Sequence, residues 1–153
     1  MGMFRLSKKM VYALEAVVDI AYNAGEQPAQ SRDITKRQGI PQRYLEQVMQ
    51  RMVRAGVLKG VRGPRGGYIL ARERRRITVG EVVRVLEDAD EAQNPLERNG
   101  ISELADRVVR PLWHDLRDTI MKELDAITIE DLCRSAHAKG VESQTREHVQ
   151  FDI

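Results

Sequence analysis

Over the first fifty residues, apolar positions recur with the period of a helix. Leu14, Val17, Val18 and Ala21 mark one face of a helix predicted over 8–24, which Gly25 stops. Ser7 stands where an N-cap is needed, with Leu6 and Val11 spaced to staple across it. A polar loop, EQPAQ, separates this helix from SRDITKRQGIPQRYLEQVMQRMVRAG. There Ser31 is placed to cap a short helix ending at Gly39. Pro41 occupies the first position of a second helix, which runs to about Ala55 and is ended by Gly56. Two helices joined by a short glycine-containing turn form the helix-turn-helix pattern.

The second helix has two distinct faces. At roughly 100° per residue, Tyr44, Leu45, Val48, Met49 and Met52 gather on one side. Gln42, Arg43, Glu46, Gln47, Gln50, Arg51 and Arg54 fill the opposite arc. Amide and guanidinium groups in the first two turns are the groups that pair with adenine and guanine edges in a major groove, although an ordinary solvated face has the same composition. Next, VLKGV and GYILA alternate as two short strands around RGPRG, where proline fixes one φ and glycine permits positive ones. A basic hairpin directly after a helix-turn-helix is the winged variant, and Arg62, Gly63 and Arg65 are its candidate DNA contacts.

Beyond the run RERRR, Thr78 and Glu81 are spaced as a capping box for a helix to about Asp88. The acidic, turn-rich stretch 89–100 reads as a linker. The longest predicted helix spans 102 to about 126, roughly 37 Å at 1.5 Å per residue. Leu104, Val108, Leu112, Leu116, Ile120 and Leu124 repeat along it at every fourth position, and Trp113 broadens the apolar band. So wide a band needs cover on more than one side, and a second copy of the chain is the expected source. Pro111 inside this helix predicts a kink or a cost of about 3 kcal/mol. Thr128 caps a last short helix. The expected organisation is a mainly α chain with one small β-hairpin. It comprises a winged helix-turn-helix domain over 1–88, the linker, a dimerisation helix and short terminal helix over 101–137, and a disordered tail over 138–153.

Charge sharpens this division. Residues 1–80 carry 16 Lys and Arg against 6 Asp and Glu, whereas 81–153 carry 9 against 17, so a net charge of only +2 conceals a basic half and an acidic half. A basic half suits a polyanion, and double-stranded DNA is the expected partner. No run is long enough to span a membrane, the N-terminus lacks the apolar stretch of a signal peptide, and one cysteine suits a reducing cytoplasm.

Rival chemistries fit less well. A phosphate-cradling P-loop requires Lys-Ser or Lys-Thr after its last glycine, but Gly66 precedes Gly67 and Tyr68; the G-x-G-x-x-G fingerprint is absent. GPRG spells an RNA-clamping G-x-x-G, yet that loop joins two helices and this one is flanked by strand-like residues. No nucleophile–base pair or paired carboxylates stand out, so no enzyme is expected. Cys133 shares a helical face with Ile129, Leu132 and Ala136, a core arrangement, and His114 beside Trp113 reads as a packing residue. No Cys, His and carboxylate set has metal-ligand spacing.

The runs RQGIPQRYLEQ, VRGPRGGYILAR, ITVGEVV and LWHDL closely resemble the IscR-like regulators of the Rrf-two family, bacterial winged helix-turn-helix transcription factors. The likeness covers roughly residues 5 to 135. It implies a homodimer whose long C-terminal helices cross and whose recognition helices enter successive major grooves. By position it places Glu46 and Gln47 at base edges and Arg62 in the minor groove; for Arg43 a phosphate contact fits better than a base contact. Cluster-binding members hold iron–sulfur through three cysteines and a histidine, where this chain has Pro95, Ile101, Arg107 and Arg110. None of these side chains can ligate iron. The implied function is a sequence-specific, DNA-binding homodimer without an iron–sulfur cluster or other cofactor, acting in the cytoplasm. Two alternatives stay open: a sensor using other ligands or a partner protein, and a dimerising interaction module that no longer binds DNA.

Overall fold

The computed structural model describes residues 7–25, 27–87, 100 and 102–144. Three helices open it: α1 (Lys8–Tyr22), α2 (Ser31–Gln38) and α3 (Gln42–Arg54). A hairpin of β1 (Leu58–Val61) and β2 (Gly67–Leu70) follows, then a 3-10 turn (Arg74–Arg76) and α4 (Val79–Glu87). A long helix comprising a π-turn (Ala105–Val109) and α5 (Arg110–Asp125) leads to α6 (Ile129–Ala138).

Local chemistry sets the helix ends, with some differences from the sequence pattern. Ser7 caps α1, its Oγ accepting from the Met10 amide at 3.2 Å, while Leu6 of the expected staple lies outside the described residues. The helix stops at Tyr22, two residues early, where the Asn23 amide bonds the Asp19 carbonyl at 3.0 Å. Gln30, not Ser31, is the N-cap of α2, and Pro41 is the N-cap of α3, one position before its expected place. Gly39 (φ 68°) and Gly56 (φ 77°) end α2 and α3 in the left-handed conformation that glycine adopts without strain. Thr78 caps α4 through its Oγ1, 3.1 Å from the Glu81 amide, but the Glu81 carboxylate pairs with Arg72. The reciprocal capping box forms instead at Thr128 and Asp131, whose paired bonds measure 3.0 and 2.9 Å. Two hydrogen bonds from Thr128 hold the Asp131 carboxyl below its ordinary range.

The main core lies where α1 crosses α3 and α6. Ala13, Ala16 and Val17 of α1 are buried with Ile34, Leu45, Val48, Met49, Met52, Ile77, Val82, Leu86, Ile129 and Cys133. Burying each of the larger side chains contributes about 1.5–3 kcal/mol. This packing crosses the expected division at the linker: α6 belongs to the core of the N-terminal domain, not to a separate dimerisation unit. Main-chain bonds between 77–79 and 127–129 reinforce the join. A second cluster of Val79, Val83 and Met121 seats α5 on α4, supported by bidentate pairing of Arg84 with Asp125 at 2.6 and 2.7 Å. Asp19, a buried carboxylate of α1, accepts from Arg37 at 2.7 and 2.9 Å and from Gln38 at 2.7 Å, clamping α2 to α1.

Pro111 acquires a reason that the sequence did not offer. The Arg110 amide reaches back five residues to the Ala105 carbonyl, and this wider π-turn lies directly before the proline. A widened turn relieves the clash of the ring with the preceding turn and absorbs its missing donor. The tail also differs from expectation. Ala138 closes α6, Ser143 Oγ donates to the Tyr22 carbonyl at 2.6 Å, and the Gln144 amide donates to Asn23 Oδ1 at 3.0 Å. Residues 145–153 and most of the expected linker, 89–99, lie outside the described residues.

Candidate nucleic-acid interface

The two faces of α3 separate as their residue types require. Leu45, Val48, Met49 and Met52 are fully buried, Tyr44 is half-buried 5.9 Å from the Tyr12 ring of α1, and Gln42, Arg43, Glu46, Gln47, Gln50 and Arg54 are exposed. Apolar anchoring on one side thus fixes which side chains point outward. Their local bonding sorts them further. Gln42 is engaged within the protein: its Oε1 accepts from Thr35 Oγ1 at 3.0 Å, and its Nε2 donates to Glu46 at 3.1 Å and lies 3.4 Å from Ser31 Oγ. It joins α2 to α3 and orients Glu46. Arg43 lies against Tyr44, its guanidinium carbon 5.1 Å from the ring centre. Among the described residues, none hydrogen-bonds the Gln47 side-chain amide.

The hairpin is antiparallel, with Leu58 opposite Leu70 and Val61 opposite Gly67. Close to the tip, β2 is tied to the segment before α2 by paired main-chain bonds between Tyr68 and Ala29, at 2.8 and 2.9 Å. Gly67 allows this approach, since a Cβ there would lie 2.3 Å from the Ala29 carbonyl oxygen. At the tip, Gly63 has φ 115° and a Cβ on Gly66 would lie 2.2 Å from the Val61 carbonyl oxygen, so glycine is required for both conformation and space. Arg62, Gly63 and Arg65 are exposed on this loop.

Ion pairing distinguishes two classes of cation. Of the basic run that follows the hairpin, Arg72 pairs with Glu81, Arg74 with Glu130 at 3.9 Å, and Arg75 with Glu73 at 2.5 Å. Arg84 and Arg117 tie α4 to α5 through Asp125 and Glu87. By contrast, among the described residues Arg43, Arg51, Arg54, Lys59, Arg62 and Arg65 have no carboxylate within 4 Å. Arg32 and Arg76 also lack such a carboxylate, as do several lysines, but among the described residues no arginine of α3 or the hairpin has one. Gln50, Arg51 and Arg54 lie on the same polar arc as Gln47, and their spacing at i+3, i+4 and i+7 from it is the signal that joins them to the candidate site.

On the long helix Leu104, Val108, Leu112, Leu116 and Ile120 are exposed, Leu104 at 68% and Leu112 at 55%. Trp113 is half-buried, and Leu124 differs from the rest by packing onto the cluster of Val79, Val83 and Met121 in its own chain. His114, expected to pack, is exposed. Cys133 is only 2% exposed, and burial raises its thiol pKa above the ordinary value.

The profile of a family described as "Iron-dependent Transcriptional regulator", Rrf2, matches residues 6–135. The HTH-type transcriptional regulator IscR of Escherichia coli O1:K1 is 33% identical over 144 residues, 94% of this chain and 89% of that protein. Among solved structures, T. potens IscR superposes with a TM-score of 0.72 at 34% identity, covering 92% of this chain and 94% of its own. CymR, the global cysteine regulator of B. subtilis, gives 0.69 at 34% identity, covering 87% and 98%. The side chains at the four positions where the resemblance would put cluster ligands have no chemistry for holding iron. Arg107 is 3.9 Å from Glu103 and Arg110 is 2.8 Å from Asp106, so both are cations engaged with carboxylates; Pro95 and Ile101 lack donor atoms and lie outside the described residues. Among the described residues no three His, Cys, Asp or Glu side chains converge as a metal site, and no helix is long and apolar enough to cross a membrane.

Proposed function

The chain belongs to the Rrf2 family of transcriptional regulators, and on that premise we propose that it is a sequence-specific DNA-binding regulator, not an enzyme, that acts as a homodimer without an iron–sulfur cluster. The observation that carries this reading is the distribution of paired arginines: among the described residues, those away from α3 and the hairpin are matched with carboxylates except Arg32 and Arg76, whereas none on these two elements is. Glu46 and Gln47 read base edges, with Gln42 holding Glu46 in place. Arg43 and Arg65 contact phosphates, and Arg62 enters the minor groove where Gly63 lets the backbone approach. The exposed row of Leu104, Val108, Leu112, Leu116 and Ile120 supports pairing of two copies, since contiguous apolar surface of this kind marks an interface. Trp113 flanks that interface, while Leu124 seats the helix on its own domain. Arg107 and Arg110 support the cluster-free reading, because each already serves as an ion-pair partner.

Selection from a pool of random duplexes tests the reading. The expected product is a pseudo-palindrome whose half-sites lie about one helical turn, ~34 Å, apart; failure to enrich any sequence over the starting pool would overturn it. Iron analysis of protein purified without oxygen tests the cofactor assignment separately. Stoichiometric iron with acid-labile sulfide would refute the cluster-free state and leave DNA recognition standing.

A further inference from the structure

Two adjoining clefts lie on the flank of α3 and share a wall of Arg51 and Arg54. One, of about 330 Å³, opens between α1, α3 and α4 and takes Lys9, Gln47 and Gln50 as further polar lining. The other, of about 470 Å³, lies between α3 and α4 and is bordered by Glu81 and Arg84. The Glu81 and Arg84 side chains are occupied by Arg72 and Asp125. Lys9, Arg51 and Arg54 have no carboxylate partner among the described residues, and Lys9 and Arg51 are both half-buried. The α3 macrodipole favours basic residues in its last turn, which accounts for Arg51 and Arg54 but not for Lys9 joining them from α1. Three cations sharing one concave surface repel one another unless an anion lies between them.

The geometry points to a phosphate-binding site formed by Lys9, Arg51 and Arg54, lying beside the base-reading face and separate from the wing. Guanidinium groups match phosphate oxygens in paired hydrogen bonds, and a lysine supplies a point charge to the same group. Gln47 lines the mouth of the smaller cleft, so an anion seated there lies next to a residue assigned to base reading. The phosphate is supplied by the DNA backbone or by a free phosphorylated anion; the first source rests on the DNA-binding reading and the second does not.

The test compares wild type, Arg51→Gln with Arg54→Gln, Lys9→Gln, and Lys139→Gln as a control on the exposed residue after α6. In fluorescence anisotropy with a duplex of random sequence, the slope of log K against log salt should fall in magnitude by about 2 for the arginine pair and about 1 for Lys9→Gln. It should not change for Lys139→Gln. In parallel, pyrophosphate is titrated into protein followed by the NMR signals of arginine Nε–H groups. A reduced slope assigns the site to backbone phosphate. An unchanged slope with saturable shifts at Arg51 and Arg54, lost in the pair variant, assigns it to a free anion. If wild type binds no duplex yet shows those shifts, the DNA reading fails and the site stands. An unchanged slope with no saturable shifts overturns the site, as does an equal fall in slope for Lys139→Gln. Thermal melts of each variant confirm folding, and Arg54→Gln alone, at an exposed position, replaces the pair if the pair does not fold.

Discussion

Removing the clamp between α1 and α2 should reveal how the helix-turn-helix is held, because its two charged partners differ in burial. The Asp19 side chain is wholly inaccessible, and three hydrogen bonds of 2.7–2.9 Å reach it from Arg37 and Gln38; the Arg37 side chain is 28% exposed. In Asp19→Ala, Arg37 loses its partner but can turn into water, so the expected loss is about 2–4 kcal/mol. In Arg37→Ala the carboxylate cannot reach water and keeps only Gln38, so the expected loss is larger, about 3–5 kcal/mol. Either is a large part of the roughly 5–15 kcal/mol available to a domain. Urea unfolding followed by far-UV circular dichroism measures both changes. The double variant should lose less than the sum of the single ones by about 1–3 kcal/mol, the signature of a direct pair. A change below about 0.5 kcal/mol for Asp19→Ala, a milder loss for Arg37→Ala than for Asp19→Ala, or strict additivity would refute the reasoning.

Three further outcomes follow from particular contacts. Gly80→Ala should destabilise, by about 1–3 kcal/mol in thermal or urea unfolding, although helix propensity alone favours alanine by about 1 kcal/mol; a Cβ there would lie 1.9 Å from Asp125 Oδ1 and displace the partner of Arg84. Cys133 should react with a thiol reagent such as DTNB only on unfolding, since it is buried with its pKa raised; rapid reaction of native protein would contradict this. Leu112→Asp with Leu116→Asp should yield a folded monomer by light scattering, because both side chains are exposed in the single chain; a persistent dimer would move the interface elsewhere.

The legible part of this structure was what neighbours in sequence determine. Ser7 and Thr128 cap because their hydroxyls meet amides three residues on, and Gly39 and Gly56 end helices because few other residues enter the left-handed region. The split faces of α3 and the hairpin around RGPRG followed from periodicity and turn chemistry. What could not be read were partnerships between distant residues. Nothing near Ile129 or Cys133 announces that α6 completes the core under α1, and the Arg84–Asp125 pair spans 41 positions. The same nonlocal pairing decides which arginines are spent within the fold and which remain free, so the run RERRR looked as available as the hairpin tip. The N-caps of α2 and α3 each lie one residue from where the sequence pattern predicts them, because several adjacent residues can serve and tertiary packing selects one.

The claim that α3 and the hairpin read DNA is tested most directly by titrating wild type, Gln47→Ala and Arg62→Ala against a selected duplex and an unrelated one. The expected result for wild type is much tighter binding to the selected duplex. Gln47→Ala should lose about 1–3 kcal/mol on that duplex and little on the other, and Arg62→Ala should also lose about 1–3 kcal/mol on the selected site. Unchanged discrimination in both variants would contradict the account.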